Sequence, residues 1–600
     1  MDRYTTHTYD VIVIGAGGAG LRAAIEASRN GVSTAIICKS LLGKAHTVMA
    51  EGGVAASLAN LDERDNWKVH FRDTMKGGKY LNQWRMAQLH AQEAPDRVNE
   101  LEEWGAVFDR TKKGKILQRN FGGHTYPRLA HVGDRTGLEL IRTLQDKGVH
   151  SGIDVFMEYT VRSILKADGQ VAGCLAYSRE KGTFHIFKSK AIVLATGGIG
   201  KCWDITSNSW EYTADGHALA YWAGAKLLDM EFVQFHPTGM VWPPSVKGTL
   251  ITEGVRGEGG VLKNKEGQRF MFNNVPDMYK AEFADTEEEA NEWVKDVVAN
   301  RIPKARRPPE LLTRDVVARA IRKEVLEGRG APHGGVYLDI ASRRPAAEIK
   351  KKLPSMYHQF KQLADVDITA EPMEVGPTCH YTMGGVKVDP ESQESTLKGL
   401  FAAGEVAAGL HGSNRLGGNS LSDLLVFGKR AGEYASEHAK KTNQANIDHA
   451  EVEKQVAICL KPFESDKGEN PYSITDDLQT MMQKNVGIVR TKSELEEALG
   501  ELAKLKQRAR DVKVGGNVQF NPGWHLAMDL SNMLDIAEIV TTAALMREES
   551  RGAHTREDFP GSSDHWGDYN LTAKLDGDGP DIIKEKLDKP PADLQELLID

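Results

Sequence analysis

Apolar runs that end in glycine turns predict a sheet assembled from distant parts of the chain. The first run, Asp10 to Ile14, turns through Gly15, Gly17 and Gly20 into LRAAIEASRNG, whose spacing predicts a helix that ends at Gly31. The next run, VSTAIIC, completes a βαβ unit. Further buried-strand runs at 191–198 and 399–407 also lead into glycines, which is typical of a doubly wound parallel sheet. The pattern therefore predicts an α/β fold whose nucleotide-binding domain is discontinuous.

The remaining segments predict further domains. The stretch between the sheet segments is mixed, with proline-rich breaks at VWPPS and ARRPPE, and indicates an inserted domain. After residue 440 the run LAMDLSNMLDIAEIVTTAALM has apolar residues at helical spacing, and the last forty residues are rich in Asp, Gly, Pro and Lys. We predict a nucleotide-binding domain, an inserted domain, a helical domain and a wrapping tail, with these bounds: 1–240 plus 376–440, 241–375, 441–560 and 561–600.

Composition excludes several classes of function. The chain has 76 basic and 84 acidic residues and no long basic stripe, which argues against a nucleic-acid partner. Its 5 cysteines are scattered without a C-x-x-C pair, so we expect no disulfide framework, no metal site and no iron–sulfur cluster, and a reducing compartment. The polar N-terminus and the lack of a long apolar run predict neither a signal peptide nor a membrane span.

The glycine turn predicts a dinucleotide cofactor. Because G-x-G-x-x-G here follows a strand and opens a helix, its backbone N–H groups and the helix N-terminus can bind a pyrophosphate, although a merely tight turn is the alternative. Nicotinamide sites usually place an acid at the end of the second strand to bind the ribose, but this chain has Cys38, Lys39 and Ser40 there. The spacing therefore favours flavin over nicotinamide.

Long motif blocks carry a family resemblance. From His46 through MAEGG, the chain resembles the flavin loop in flavoprotein subunits of succinate dehydrogenases and fumarate reductases. The resemblance recurs in order along most of the chain, in these blocks: ATGG, EFVQFHPTG, ITEGVRGEGG, LTRDVVARAI, PTCHYTMGG, AAGEVAAGLHGSNRLGGNSL and RGAHTREDFP. It implies a discontinuous Rossmann-like FAD-binding domain with an inserted α+β capping domain and a C-terminal helical domain, and FAD bonded covalently to His46.

The resemblance also implies roles for individual residues. It implies flavin contacts at Gly15, Gly17, Gly20, Lys39, Ser40, His46, Ala50, Gly52, Gly53, Asp215, Glu405, Ser420 and Leu421. It implies carboxylate-binding residues at His236, Thr252, His380 and Arg415, which suit a dicarboxylate because they include guanidinium and imidazole donors. It makes Arg314 the proton donor or acceptor, with Glu253 and Arg256 as its relay to solvent.

Purely structural roles compete with these functional ones. His46 alone could be an ordinary loop histidine, and Asp215 could be a helix N-cap. Arg314 could form a surface pair with Asp315, and His380 could be a core histidine.

Two stretches depart from the commoner members of the family. The segment between Arg269 and Arg314 is longer, which predicts an extra element in the capping domain. SNSWEYTADG replaces the more usual small-residue approach to Asp215.

The resulting hypothesis is an enzyme that interconverts succinate and fumarate. The resemblance implies a partner iron–sulfur subunit that takes the electrons, and membrane anchor subunits that connect it to quinone. We expect a peripheral position on the cytoplasmic face of the membrane. We prefer succinate oxidation, catalysed as a succinate dehydrogenase. The alternative is a quinol:fumarate reductase, and Glu51 favours it, because the resemblance to fumarate reductases suggests Glu at this position. Three further hypotheses are L-aspartate oxidase, a soluble fumarate reductase and a non-catalytic flavin-binding assembly module.

Overall fold

A parallel sheet of five strands forms the centre of the molecule. The computed structural model describes residues 4–299, 301, 303–464, 467–577 and 579–599. The sheet has this strand order: Leu400–Ala402, Ala191–Leu194, Val11–Ile14, Thr34–Cys38 and Asp154–Met157. Every neighbouring pair is parallel, so segments almost 400 residues apart in sequence form one sheet, as the glycine-turn pattern predicts.

Strand Val11–Ile14 and its helix are packed too closely for larger residues at two glycines of the turn. Helix Gly18–Arg29 follows the fully buried strand Val11–Ile14. Gly15 has φ +113°, and a Cβ on it would collide with the Ala195 carbonyl. A Cβ on Gly20 would collide with the Gly15 carbonyl, so Gly20 serves helix–strand packing.

Helices and two smaller sheets surround the central sheet. The helices are Gly18–Arg29, Trp67–Gly77, Trp84–Glu103, Thr136–Val149, Asp215–Ala223 and Asn419–Lys441. One sheet has the strand order Thr5–Thr8, Phe184–Lys188, Gln170–Ser178 and Tyr159–Ala167; the other has Val54–Ala55, Leu129–Ala130 and Gln118–Arg119.

The inserted segment has an antiparallel sheet and a hydrophobic core of its own. The strand order is Val233–Met240, Met373–Thr382, Val336–Asp339 and Val261–Lys263, and the helices are Gly254–Gly257, Glu287–Val298, Arg314–Leu326, Ala346–Lys352 and Pro354–Leu363. Met373–Thr382 runs across the predicted boundary at 375/376, and Val233–Met240 ends at the boundary at 240/241. Helix Glu287–Val298 lies in the long segment between Arg269 and Arg314.

The C-terminal part consists of helices followed by a β-hairpin. The helices are His449–Glu464, Pro471–Asn485, Lys492–Ala509 and Pro522–Met546. Strands Tyr569–Asp576 and Gly579–Lys586 then pair with each other, and the first also pairs with Leu227–Leu228, which pairs in turn with Gly385–Val386. The predicted wrapping tail thus contains regular strands before the short helix Ala592–Gln595. In the part of the chain that the structure describes, helices that combine the length and the apolar character needed to cross a membrane are absent.

Candidate active site

One cavity collects nearly all the predicted site residues. Its lining comes from the glycine turn of the central sheet, the loop that contains His46, the segments 211–215 and 403–424, and the inserted segment. The predicted residues that line it are Gly15, Gly17, Lys39, Ser40, His46, Ala50, Gly52, Gly53, Asp215, His236, Thr252, Glu253, Arg314, His380, Glu405, Arg415, Ser420 and Leu421. Gly20 and Arg256 are absent from this lining: Gly20 packs against Gly15, and Arg256 lies behind Glu253.

The glycine turn places a helix N-terminus at the cavity. Helix Gly18–Arg29 begins after Gly17, and no side chain caps its first turn from that position. Ser420 and Leu421 lie in the first turn of helix Asn419–Lys441, which also begins without a side-chain cap. Two helix N-termini therefore face one cavity, an arrangement that binds anionic and carbonyl oxygens.

His46 stands at the cavity wall as a neutral imidazole. It begins the 3₁₀ helix His46–Met49, and the backbone N–H of Ser209 donates to its Nδ1 atom at 3.4 Å. Asn208 Nδ2 lies 3.3 Å from Nε2, and the Tyr212 ring packs edge-on with the centroids 4.7 Å apart. Burial, with a contribution from Lys201, lowers the pKa of His46 to about 4, so a nitrogen lone pair is available at neutral pH.

The segment that contacts His46 also contacts His380. Ser207 Oγ lies 2.8 Å from His380 Nδ1, and Asn208 donates to the His380 carbonyl at 3.0 Å. This segment is the start of the unusual stretch SNSWEYTADG. The departure from the family pattern therefore falls on the residues that join the two histidines.

Asp215 is the first residue of its helix rather than the N-cap. Ala214 occupies the N-cap position with φ +66°, and the Asp215 carboxylate accepts from Lys39 Nζ at 3.0 Å and from Thr213 Oγ1 at 2.9 Å. Burial alone would raise the pKa of Asp215, but the Lys39 ammonium more than offsets this and lowers it. The carboxylate is thus held in its charged form at the cavity edge.

The pKa of Glu405 is shifted in the opposite direction from that of Asp215. Burial raises its pKa to about 8, although a hydrogen bond from the backbone N–H of Thr382 at 3.1 Å lowers it in part. Its protonated form is favoured at neutral pH, so it can donate as well as accept a hydrogen bond.

Two arginines meet on one glutamine at the end of the cavity formed by the inserted segment. Arg314 Nη1 lies 3.3 Å and Arg415 Nη2 lies 3.2 Å from Gln234 Oε1, and all three side chains are buried. Burial, and then the neighbouring Arg314 guanidinium, lower the pKa of Arg415 to about 9. The Arg415 guanidinium also lies over the Tyr381 ring, 4.2 Å from its centroid. Such a desolvated pair of cations attracts carboxylates strongly.

Histidines and a threonine complete this cationic end. The His236 and His380 rings are 5.2 Å apart, and Thr252 is buried nearby in the cavity lining. Burial, with Arg314 as the next cause, lowers the pKa of both histidines well below the usual value. Both are therefore neutral hydrogen-bonding groups beside the two guanidiniums.

The predicted relay forms a continuous line of buried charges. Arg314 Nε donates to Glu253 Oε2 at 3.0 Å, and Arg256 Nη2 lies 3.7 Å from the same oxygen. Glu253 also accepts from the Gly122 backbone N–H at 2.7 Å, and Arg256 donates to the Glu310 carbonyl at 2.5 Å. Arg314 is only 8% exposed, so it does not form the surface helix pair that its neighbour Asp315 suggested.

Sequence reasoning missed the central glutamine. Gln234 is fully buried, and its amide donates to the Arg415 carbonyl at 2.8 Å while its oxygen accepts from both guanidiniums. A signal was present, because Gln234 precedes His236 by two residues in strand Val233–Met240, and alternate residues of a strand share a face.

The residues around the cavity fit FAD. Among the described residues, Glu51 Oε2, Glu211 Oε2 and Arg415 Nε are buried polar atoms of the lining without a hydrogen-bond partner. Together with the two uncapped helix N-termini, they offer the donors and acceptors that a pyrophosphate, a ribityl chain and a flavin ring need.

Two protein families match most of the chain. A family described as FAD binding domain matches residues 10–421, and one described as Fumarate reductase flavoprotein C-term matches residues 475–595. A fumarate reductase (CoM/CoB) subunit of Methanothermobacter marburgensis is 44% identical, over 93% of this chain and 95% of that protein. The mitochondrial succinate dehydrogenase [ubiquinone] flavoprotein subunit of Oryza sativa subsp. japonica is 38% identical, over 94% of this chain and 88% of its own length.

A solved structure extends the similarity to the whole fold. Mycobacterium smegmatis Sdh1, in its complex with UQ1, is 55% identical and superposes with a TM-score of 0.85, covering 98% of this chain and 96% of that one. The chain therefore belongs to the family of FAD-dependent flavoprotein subunits of succinate dehydrogenases and fumarate reductases.

Proposed function

We propose that this chain interconverts succinate and fumarate as the FAD-bearing catalytic subunit of a succinate:quinone oxidoreductase. The observation that carries the proposal is the cluster of Arg314, Arg415, His236 and His380 in the same cavity as the glycine turn and His46. A four-carbon dicarboxylate needs donors at both ends, and this cluster supplies guanidinium forks and neutral imidazoles around one space. Bound FAD would supply the acceptor for the hydride that leaves succinate.

Within this cluster, Arg314 transfers the proton. Its guanidinium is buried, contacts Glu253 directly and is the only member of the cluster on the line of charges that leads through Glu253 to Arg256. Microscopic reversibility then makes Arg314 the donor for fumarate reduction and the acceptor for succinate oxidation.

His46 carries the flavin covalently. Its low pKa leaves the imidazole neutral, and the hydrogen bond from Ser209 to Nδ1 directs Nε2 as the atom that bonds to the 8α carbon. Forming this C–N bond would release one hydrogen from that methyl group and one from the imidazole, and bound FAD would supply the oxidant that accepts them. The N-linked imidazole withdraws electron density and favours succinate oxidation by raising the flavin potential.

Electrons leave toward an iron–sulfur subunit that docks beside His46, and membrane anchor subunits connect that subunit to quinone. The surface around the histidine supports this, because Leu41, Met49 and Trp210 are large apolar side chains that are 47–48% exposed there. The chain itself would be peripheral, on the cytoplasmic face of the membrane.

Our preferred hypothesis is that the chain oxidises succinate in the cell, and the alternative hypothesis is that it reduces fumarate. A charged Glu51 would lower the flavin potential and favour fumarate reduction. However, burial, followed by the nearby Asp134, raises the pKa of Glu51 well above its usual value, so its neutral form is favoured. The electrostatic argument for fumarate reduction is therefore weaker than the sequence suggests.

His46→Ser tests the covalent link and the reaction together. The wild-type chain, loaded with FAD and denatured, should give a fluorescent band on a gel, and the variant should bind FAD but lose it on denaturation. Each 30 mV or so by which the flavin potential falls costs about 1.4 kcal/mol of driving force, so the variant should reduce fumarate with an artificial donor while oxidising succinate poorly. If the denatured wild-type chain is colourless, the flavin is not covalently linked to His46. If the chain oxidises L-aspartate better than succinate, it is an aspartate oxidase.

A further inference from the structure

The ribose position of the sheet holds a lysine instead of an acid. Lys39 directly follows strand Thr34–Cys38, where dinucleotide-binding folds commonly place a carboxylate. The structure brings two carboxylates to it from elsewhere: Lys39 Nζ lies 2.7 Å from Asp529 Oδ1 and 3.0 Å from Asp215 Oδ2. The acid that is missing at the strand end is thus supplied by other elements.

One of these carboxylates comes from the C-terminal helical domain. Asp529 and Asn532 are three residues apart in helix Pro522–Met546, so they share a face of it. Asn532 Nδ2 donates to Asp215 Oδ1 at 2.7 Å, while its Oδ1 accepts from Arg162 at 3.1 Å. Both side chains are buried, 4% and 2% exposed, so neither is a solvated surface group.

These contacts divide the four residues into two layers. Lys39 and Asp215 line the cavity, whereas Asp529 and Asn532 do not and reach it only through them. Without Asp529, the Lys39 ammonium would have Asp215 as its one remaining carboxylate and would shift toward it. The Asp215 oxygens already accept hydrogen bonds from Lys39, Thr213 and Asn532, so a closer Lys39 would compete more strongly with a ribose hydroxyl for them.

We propose that the helical domain completes the cofactor site: Asp529 and Asn532 are positioning residues that hold Lys39 and Asp215 where the adenosine ribose of FAD binds. The inference rests on the proposed function, because it takes the glycine turn as the pyrophosphate site. It makes cofactor affinity depend on a helix that lies outside the segment matched as the FAD binding domain.

ADP is the probe, because it contains the pyrophosphate and adenosine half of FAD without the flavin. Calorimetric titration of the full-length His46→Ser chain, freed of FAD, should show ADP affinity about tenfold weaker with Asp529→Asn, equivalent to about 1.4 kcal/mol. Asp529→Glu keeps the charge and should restore most of the affinity. Asn532→Ala should also weaken ADP binding, which tests the idea independently should Asp529→Asn fold poorly.

Asp535→Asn is the matched control. Asp535 lies on the same helix but does not contact Lys39 or Asp215. Its substitution removes comparable contacts, namely an ion pair with Lys506 at 2.7 Å and a hydrogen bond from Trp222 at 2.8 Å. ADP affinity should stay unchanged in this variant. An equal loss in Asp535→Asn, or unchanged or tighter ADP binding in Asp529→Asn, overturns the inference.

Gly17→Ala separates this failure from failure of the proposed cofactor site. The nearest atom to the added methyl group is Thr47 Oγ1 at 3.3 Å, so the Thr47 side chain has to move by a few tenths of an ångström, but the methyl obstructs the approach of a pyrophosphate. ADP binding should be lost. If Gly17→Ala binds ADP normally, the cofactor site itself is misplaced. If it loses ADP while Asp529→Asn keeps it, only the role of the helical domain is wrong.

Discussion

Gln234 organises the substrate end of the cavity at the scale of single residues. A neutral amide oxygen accepts from two guanidiniums that would otherwise repel each other, and the amide N–H groups are bonded to the Arg415 carbonyl and to Asn414. Because the oxygen carries only a partial charge, both arginines keep most of their attraction for a dicarboxylate. Gln234 therefore holds the two guanidiniums in place without itself neutralising them.

Two substitutions of Gln234 should differ in a graded way. Gln234→Leu removes the shared acceptor and should raise the KM for succinate about tenfold, as expected for loss of a buried hydrogen-bonded partner. Gln234→Glu should raise it further, because a carboxylate pairs with both arginines and competes with the substrate. Steady-state kinetics measures both, and Gln118→Leu, a buried glutamine outside this cavity, is the control. A lower KM in Gln234→Glu would contradict this role.

Motif residues could be predicted from the sequence far better than the residues that support them. His236, Arg314, His380 and Arg415 lie in long blocks, and the structure places all four in the cavity. Asp529 could not be assigned, because its contact with Lys39 joins residues 490 positions apart. Nothing in the local spacing of a buried helix distinguishes an acid that meets a distant lysine from one that meets solvent.

At the scale of elements, the segment between Arg269 and Arg314 adds a capped helix to the inserted domain. Thr286 accepts from the Glu289 backbone N–H at 3.3 Å, and three glutamates stand in the first turn of Glu287–Val298. The acidic run is thus a helix N-terminus with favourable charges. Trp293 anchors the helix in the core of the inserted segment and is only 3% exposed.

Trp293→Ala should therefore destabilise this domain strongly. Truncation of a buried tryptophan costs about 3–5 kcal/mol, whereas Arg306→Ala, which removes exposed ion pairs with Asp285 and Glu289, should change the stability little. Denaturant unfolding and limited proteolysis measure the two effects. Equal losses in the two variants would show that the helix is held by its surface charges instead of its core contact.

Elements with strong periodicity were predictable, and elements formed by long-range pairing were not. The glycine turns and their strands follow from local pattern, since a buried strand must lead into a tight turn before its helix. The hairpin Tyr569–Asp576 and Gly579–Lys586 was missed, because its edge is completed by Leu227–Leu228, more than 300 residues earlier. The sequence of this half-exposed hairpin is as polar as that of a loop, so its composition does not indicate strands.

At the scale of the whole molecule, burial keeps many histidines neutral. Burial, with His411 as the next cause, lowers the pKa of His90 to about 3, and its Nε2 atom lies 2.8 Å from Ser422 Oγ. The unfolded chain binds a proton at this histidine below about pH 6.5, but the folded chain does so only near pH 3. The stability that this histidine contributes is thus present above pH 6.5 and is lost as the pH falls toward 3.

His90→Gln should flatten the acid side of the stability profile. The variant should be less stable than the wild type at pH 7, because a buried hydrogen bond is perturbed. Below pH 6.5 the difference should shrink by up to about 1.4 kcal/mol per pH unit. Denaturant unfolding from pH 7 to pH 4 measures it, with the exposed His150→Gln as the control. A difference that stays constant with pH would show that His90 titrates alike in the folded and unfolded chains.

Turnover by Arg314→Gln in both directions tests the central claim most directly. The variant should bind FAD, and a dicarboxylate inhibitor should still perturb its flavin spectrum, because Arg415, His236 and His380 remain. Succinate oxidation and fumarate reduction with artificial carriers should both fall by about 10²–10⁴-fold, the usual contribution of general acid–base catalysis, and should fall together. Appreciable turnover in either direction, with the inhibitor bound normally, would contradict the assignment of Arg314 as the proton donor and acceptor.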